Sequence, residues 1–127
     1  MEENSVDKRT EKRKAGDSGE DAAASYLVKK GYRIVARNFR CKTGELDIVA
    51  AALDGTLAFV EVKSRKSTDF GLPCQAVNAK KQIRLKKTAQ YFLLKNPGLR
   101  HSQPRMDIIE ILRVDGQVYI RHLPNAF

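Results

Sequence analysis

Two carboxylates and a lysine fall within a short interval of the chain. Asp47 lies in Thr43-Gly44-Glu45-Leu46-Asp47-Ile48-Val49, and Glu61 and Lys63 follow in Leu57-Ala58-Phe59-Val60-Glu61-Val62-Lys63. Brought together, these groups could hold a hard divalent cation: Mg²⁺, or Mn²⁺ in its place, takes one or two carboxylates and completes its octahedron with water and substrate phosphate. The backbone carbonyl of Val62 could supply a further oxygen. An ion held this way lowers the pKa of a bound water, orients a phosphate and offsets the charge that develops during in-line displacement. Lys63 would orient or deprotonate the attacking water or stabilise the phosphorane oxygens, and the sequence alone does not separate these roles.

The elements that must position these groups are two strands. Both stretches are rich in apolar and β-branched residues and are separated by Asp54-Gly55, the composition of a hairpin. Side chains alternate along a strand, so Leu57, Phe59, Glu61 and Lys63 share one face and Ala58, Val60 and Val62 the other. The turn decides whether Asp47 joins Glu61. A two-residue loop of Asp54 and Gly55 would put Asp47 opposite Val62, on the wrong side. A three-residue loop of Leu53, Asp54 and Gly55 puts Ala52 opposite Thr56 and Asp47 opposite Glu61. Such loops end in a residue with positive φ, which Gly55 adopts without a Cβ clash, so the longer loop is expected. The plain alternative is a salt bridge of Lys63 with Glu61 or Asp47. Exposed pairs stabilise by up to about 1 kcal/mol, weak reason to interrupt the apolar faces of two strands.

At 127 residues, with 42% apolar and 31% charged side chains, the chain reads as one globular domain. Residues 1–15 offer almost nothing apolar and are expected to form a flexible charged tail, with the domain spanning 16–127. A helix should start at Asp17 or Ser18 and run to Lys30, with Gly31 as its stop and Ala23, Ala24, Leu27 and Val28 as its buried stripe. Glu20 falls on that stripe, and its position alone favours a first-turn acid serving the helix dipole over a carboxylate aimed at the hairpin. Tyr32–Ala36 reads as a first strand, and Ser64–Gln75 as a loop. Asn78 caps a long helix that ends at Lys95 before Asn96-Pro97-Gly98. Met106–Leu112 and Val118–Leu123 read as closing strands across Asp115-Gly116, the first parallel to the Glu61 strand by a right-handed crossover. The fold class is therefore α/β, a mixed central sheet with the order α-β-β-β-α-β-β. Asp107 beside Arg105 reads as a local ion pair, and Cys41 and Cys74 as two free thiols.

The net charge of +9 concerns partners. From Phe70 to Met106 there is no acidic residue, while Lys80, Lys81, Arg84, Lys86, Lys87, Lys95, Arg100 and Arg105 are all present. Such a one-sign surface repels itself unless a polyanion uses it, so Lys80, Lys81, Arg84, Lys87 and Arg65 are the expected nucleic-acid contacts. No apolar run reaches membrane-spanning length and the first residues lack a signal-peptide core, which implies a soluble cytoplasmic protein with no membrane partner.

Asp47 with Glu61-Val62-Lys63, in a sheet preceded by a helix bearing Glu20, resembles the core of the PD-(D/E)XK nucleases. Gly19-Glu20, Tyr26-Leu27, Gly31-Tyr32, Asn38-Phe39-Arg40, Gly44-Glu45-Leu46-Asp47-Ile48-Val49, Phe59-Val60-Glu61-Val62-Lys63-Ser64-Arg65, Phe70-Gly71 and Arg105-Met106-Asp107 are similar to the pattern of the YraN-like family, whose members are taken for endonucleases. The resemblance covers about Gly16 to His122. It implies a restriction-endonuclease-like core related to archaeal Holliday junction resolvases, with Asp47 and Glu61 as metal ligands and Lys63 as the catalytic lysine. It also raises Glu20, which matches the first-helix acid of the resolvases. Leu46 replaces the Pro of the motif, and Met106 replaces the usual Phe.

The leading expectation is a Mg²⁺-dependent endonuclease acting on nucleic acid, DNA before RNA, branched or junction DNA included. Symmetric cutting of two strands would require a homodimer. The alternative is a non-catalytic nucleic-acid-binding module of the same fold. A protein-interaction subunit, the third option, would show no nucleic-acid affinity at low salt.

Overall fold

The computed structural model describes residues 11–65 and 77–127, with side chains from Gly19 onward. Helix α1 (Glu11–Lys29) is followed by β1 (Arg33–Cys41), β2 (Gly44–Ala51), β3 (Thr56–Ser64), helix α2 (Ala79–Lys95), β4 (Gln103–Val114) and β5 (Gln117–Leu123). The order α-β-β-β-α-β-β is the expected one. The strands form a single sheet in the order β1-β2-β3-β4-β5. It is antiparallel except that β3 and β4 run parallel, joined by the crossover through α2.

The alternation of apolar residues builds two cores, one on each face. Ile48, Ala50, Ala58, Val60, Ile109 and Ile111 meet Ala23 and Leu27 of α1. The residues between them, Val49, Leu57, Phe59, Met106 and Ile108, meet Leu85, Ala89 and Phe92 of α2. The sheet is therefore sandwiched between the helices. On the α2 side Phe92 stands edge-on to both Phe39 and Phe59, with ring centroids 5.0 and 6.0 Å apart.

Three elements differ from expectation in their extent. Helix α1 begins at Glu11, upstream of Asp17 and Ser18 and inside the stretch expected to be a tail; Glu, Lys, Arg and Ala are good helix formers and extend it backwards. Residues 1–10 lie outside the described part. Strand β1 continues past the expected end at Ala36 to Cys41, irregular in its register with β2 and with Asn38 at φ 55°. Strand β4 is longer at both ends, its parallel ladder with β3 already running from Thr56 opposite Gln103. The expected Ser64–Gln75 loop falls largely on residues 66–76, outside the described ones, as does Cys74; Cys41 is a free thiol. No helix among the described residues is long and apolar enough to cross a membrane.

Helix α2 starts as the sequence indicates: Asn78 is extended, and its side-chain oxygen accepts from the Lys81 N–H at 2.8 Å. An Asn cap replaced by Ala costs about 1 kcal/mol. Asn78→Ala is thus expected to lower the unfolding free energy by that amount in urea titration, and to loosen the first turn, which carries Lys81.

Candidate active site

The hairpin turn sets the site. The Ala52 N–H donates to the Thr56 carbonyl at 2.9 Å and the Gly55 N–H to the Ala52 carbonyl at 3.2 Å, closing a loop of Leu53, Asp54 and Gly55 with Gly55 at φ 94°. The ladder then runs Ala51 opposite Leu57 through Ile48 opposite Val60, so the next positions along it are Asp47 and Glu61. The three-residue loop and its register are as expected. At Asp47 the side chain enters the strand pairing: the Val62 N–H donates to the Asp47 carboxylate at 2.8 Å. The carboxylate is thereby anchored where β2 and β3 begin to part.

Asp47 and Glu61 line one cleft of about 270 Å³ together with Thr43, Gly44, Glu45, Lys81, Arg84 and Leu85. The β1–β2 turn forms one wall and α2 the other. Gly44, at φ 150°, brings the turn so near that a Cβ there would stand 3.2 Å from the Thr88 hydroxyl, and Thr43 and Thr88 hydroxyls bond at 2.8 Å. On the helix side, the Lys81 ammonium pairs with Glu61 at 2.5 Å.

Electrostatics distinguish the carboxylates. Burial pushes Asp47 up to about 7, against the Val62 N–H and with the negative charges of Glu61, Glu20 and Glu45 adding to the rise. Glu20 is also raised, by burial first and by Glu45, while Arg37 opposes. It lies well inside α1, not in a first turn, with its side chain 14% exposed and one carboxylate oxygen buried without a hydrogen-bond partner among the described residues. Arg37 is 3.8 Å from that oxygen and closer, at 2.8 Å, to Asp21. Glu20 thus adds negative charge to the surroundings of Asp47 while standing outside the lining of the cleft.

The remaining sequence candidates divide. Lys63 lies on β3 beside Glu110 of β4, half-buried and not among the cleft-lining residues. Arg65 has its guanidinium on Glu110, a fully buried carboxylate that also takes Arg121 at 2.5 Å. Of the expected nucleic-acid contacts, Lys81 and Arg84 face the cleft, and Lys80 and Lys87 are exposed on the same helix. Glu45 was missed; it lines the cleft and pairs with Arg40 at 3.1 Å. Its signal was present in the Gly44-Glu45 step just ahead of Asp47, on the same strand.

Asp47 and Glu61 offer the hard oxygens Mg²⁺ takes, two carboxylates with room for water and phosphate, and a cation already neutralises one of them. Among the described residues no group of three or more His, Cys, Asp or Glu side chains is placed to hold a metal ion. An ion placed in the cleft would have two protein carboxylates and would take its remaining ligands from water and substrate.

Residues 19–111 match the model of Uncharacterised protein family UPF0102. The chain belongs to that family. A UPF0102 protein of Trichlorobacter lovleyi is 50% identical over 113 residues, covering 88% of each chain. One of Caldicellulosiruptor bescii is 46% identical over 105 residues, 83% of this chain and 87% of its own. Among solved structures, a repair endonuclease from Pyrococcus abyssi overlaps 88% of this UPF0102 chain and 42% of its own, with 10% identity and a TM-score of 0.41. An overlap that loose does not bear on activity.

Proposed function

We propose that this UPF0102 protein is a Mg²⁺-dependent endonuclease of the PD-(D/E)XK type, hydrolysing phosphodiester bonds of nucleic acid, DNA in the first instance. The observation that supports it is that Asp47 and Glu61, one step beyond the last paired residues of β2 and β3, line one cleft whose wall is the basic helix α2. Asp47 and Glu61 would hold the ion, with the Val62 carbonyl as a further donor; when bound, it supplies an activated water and charge neutralisation at the phosphate. The chain's own part is positional. The Val62 N–H fixes the Asp47 carboxylate, Arg84 faces the cleft where a phosphate would lie, and Lys80 and Lys87 flank it on the exposed surface. Lys63 is kept as the catalytic lysine on the strength of the family motif.

A second reading, a nucleic-acid-binding module without cleavage, is favoured by two observations: Lys81 already occupies Glu61, and Lys63 stands outside the cleft lining. Incubating the protein with duplex, flap, junction and RNA substrates in Mg²⁺ or Mn²⁺ separates the two. Divalent-dependent products support the nuclease; binding to all of them without a product from any supports the module.

Binding itself has a quantitative signature. Each phosphate contact contributes close to one unit to the slope of log affinity against log salt. The double variant Lys80→Ala, Lys87→Ala is expected to lower the magnitude of that slope by about 1–2, measured by fluorescence anisotropy on a labelled duplex. An unchanged slope would remove these lysines from the interface.

A further inference from the structure

Lys81 does something a phosphate-binding lysine on a solvated helix would not do. Its ammonium is bound at 2.5 Å to Glu61, a carboxylate 13% exposed at the cleft floor, while its own side chain is 40% exposed. Its backbone is fixed, because its N–H is the one Asn78 caps. Only the four-carbon stem is free to move, and it has solvent to move into. Arg84, one turn later, lines the same cleft. Glu45 and Asp47 line the same cleft, Glu45 paired with Arg40 and Asp47 accepting the Val62 N–H.

We propose that Lys81 is a built-in counter-ion: it holds Glu61 in the cation-free protein and must be displaced by a divalent ion that binds between Glu61 and Asp47. The inference rests on the reading of the cleft as a metal-dependent site. An ammonium is a compact point charge on a flexible stem, able to neutralise Glu61 and to leave without disturbing the helix. It carries one charge, where a divalent ion can satisfy Glu61 and Asp47 together. The cleft thereby keeps its shape without metal, and metal affinity is lowered by the free energy of the Lys81–Glu61 pair.

The test is a Mn²⁺ titration of metal-stripped protein, reading free Mn²⁺ by electron paramagnetic resonance, for wild type, Lys81→Met, Lys81→Arg and Lys80→Met. Lys80 is the control, exposed on the same helix turn and outside the cleft lining, so its removal reports the general loss of one positive charge. A partly exposed charged pair is worth about 1 kcal/mol, which corresponds to roughly fivefold in affinity. Lys81→Met should therefore bind Mn²⁺ about fivefold more tightly than wild type, Lys80→Met less than about twofold, and Lys81→Arg should stay near wild type. Equal affinity in wild type and Lys81→Met, or an equal gain from Lys80→Met, overturns the counter-ion role. If in that case Asp47→Asn and Glu61→Gln abolish binding, the metal site itself stands. If no variant binds Mn²⁺, the counter-ion role and the metal site fall together.

Discussion

Asp47→Asn and Glu61→Gln, made singly, are each expected to reduce divalent-dependent cleavage by about a thousandfold or more. A bound ion contributes several kcal/mol of charge stabilisation in phosphoryl chemistry, and each 1.36 kcal/mol is tenfold in rate. Both replacements keep the size of the side chain. In Asp47→Asn the introduced amide oxygen can still accept the Val62 N–H, so the strand fork should survive. Cleavage should vanish while the nucleic-acid binding proposed for α2 persists. Residual cleavage within about a factor of ten of wild type in both variants would exclude these carboxylates from the reaction.

Asp47→Asn carries a second readout, in EDTA. The Asp47 carboxyl is raised from 3.8 to about 7 by burial and by Glu61, Glu20 and Glu45. Its folded pKa lies above its unfolded one, so the native state binds the proton more tightly. The stability this confers is complete below about pH 4 and is lost as pH rises through about 7. At 1.36 kcal/mol per unit the shift sets an upper bound of about 4 kcal/mol, and water in the open cleft reduces it to about 1–2 kcal/mol. Wild type should therefore lose stability between about pH 4 and pH 8 relative to Asp47→Asn, which lacks the titrating group. The two curves should meet near pH 4, and parallel curves across that range would contradict the electrostatic description of the site.

What the sequence made legible was local and periodic. Gly55 decided the turn, the turn decided the register, and the register placed Asp47 beside Glu61. Asn78 and the Arg105–Asp107 pair were readable because cap and pair lie within a few residues of their partners. Long-range contacts were not. That Lys81 reaches Glu61 depends on how α2 crosses the sheet, and that Arg65 turns onto Glu110 depends on the β3–β4 register. Both side chains read as surface charge in the sequence, which shows charge without showing what faces it. Glu20 is ambiguous for a related reason: its place relative to the helix start changes once α1 begins at Glu11.

Asp107→Ala should have the largest effect on stability. Asp107 is fully buried, yet it is bonded on every side. Arg105 donates to both its oxygens at 2.8 and 2.7 Å, His122 Nε2 lies at 2.8 Å and the Asn125 N–H donates at 3.0 Å. The network continues outward, with Arg105 donating to the Tyr32 hydroxyl at 2.6 Å and His122 Nδ1 bonded to the Tyr26 hydroxyl at 3.0 Å. One carboxylate thus ties the end of α1, β4, β5 and the C-terminal residues into one unit. Burial would push its pKa up, but the hydrogen bonds from His122, Arg105 and Asn125 outweigh that and hold it below the usual value. Removing one partner of a buried charged pair leaves the other uncompensated and costs about 3–5 kcal/mol. For a domain of this size that lowers Tm by about 10–20 °C. The sign of the pH dependence is opposite to that of Asp47. A depressed folded pKa gives stability that is present above the unfolded value near 3.8 and is lost as pH falls through the folded one. The gap between wild type and Asp107→Ala should therefore be wide at about pH 7 and narrow below about pH 4. The network lies on the α1 face, away from the lining of the cleft, so Mn²⁺ binding by the folded variant at low temperature should match wild type. A variant that melts within a few degrees of wild type at neutral pH would show that the buried network is not what holds this edge of the sheet.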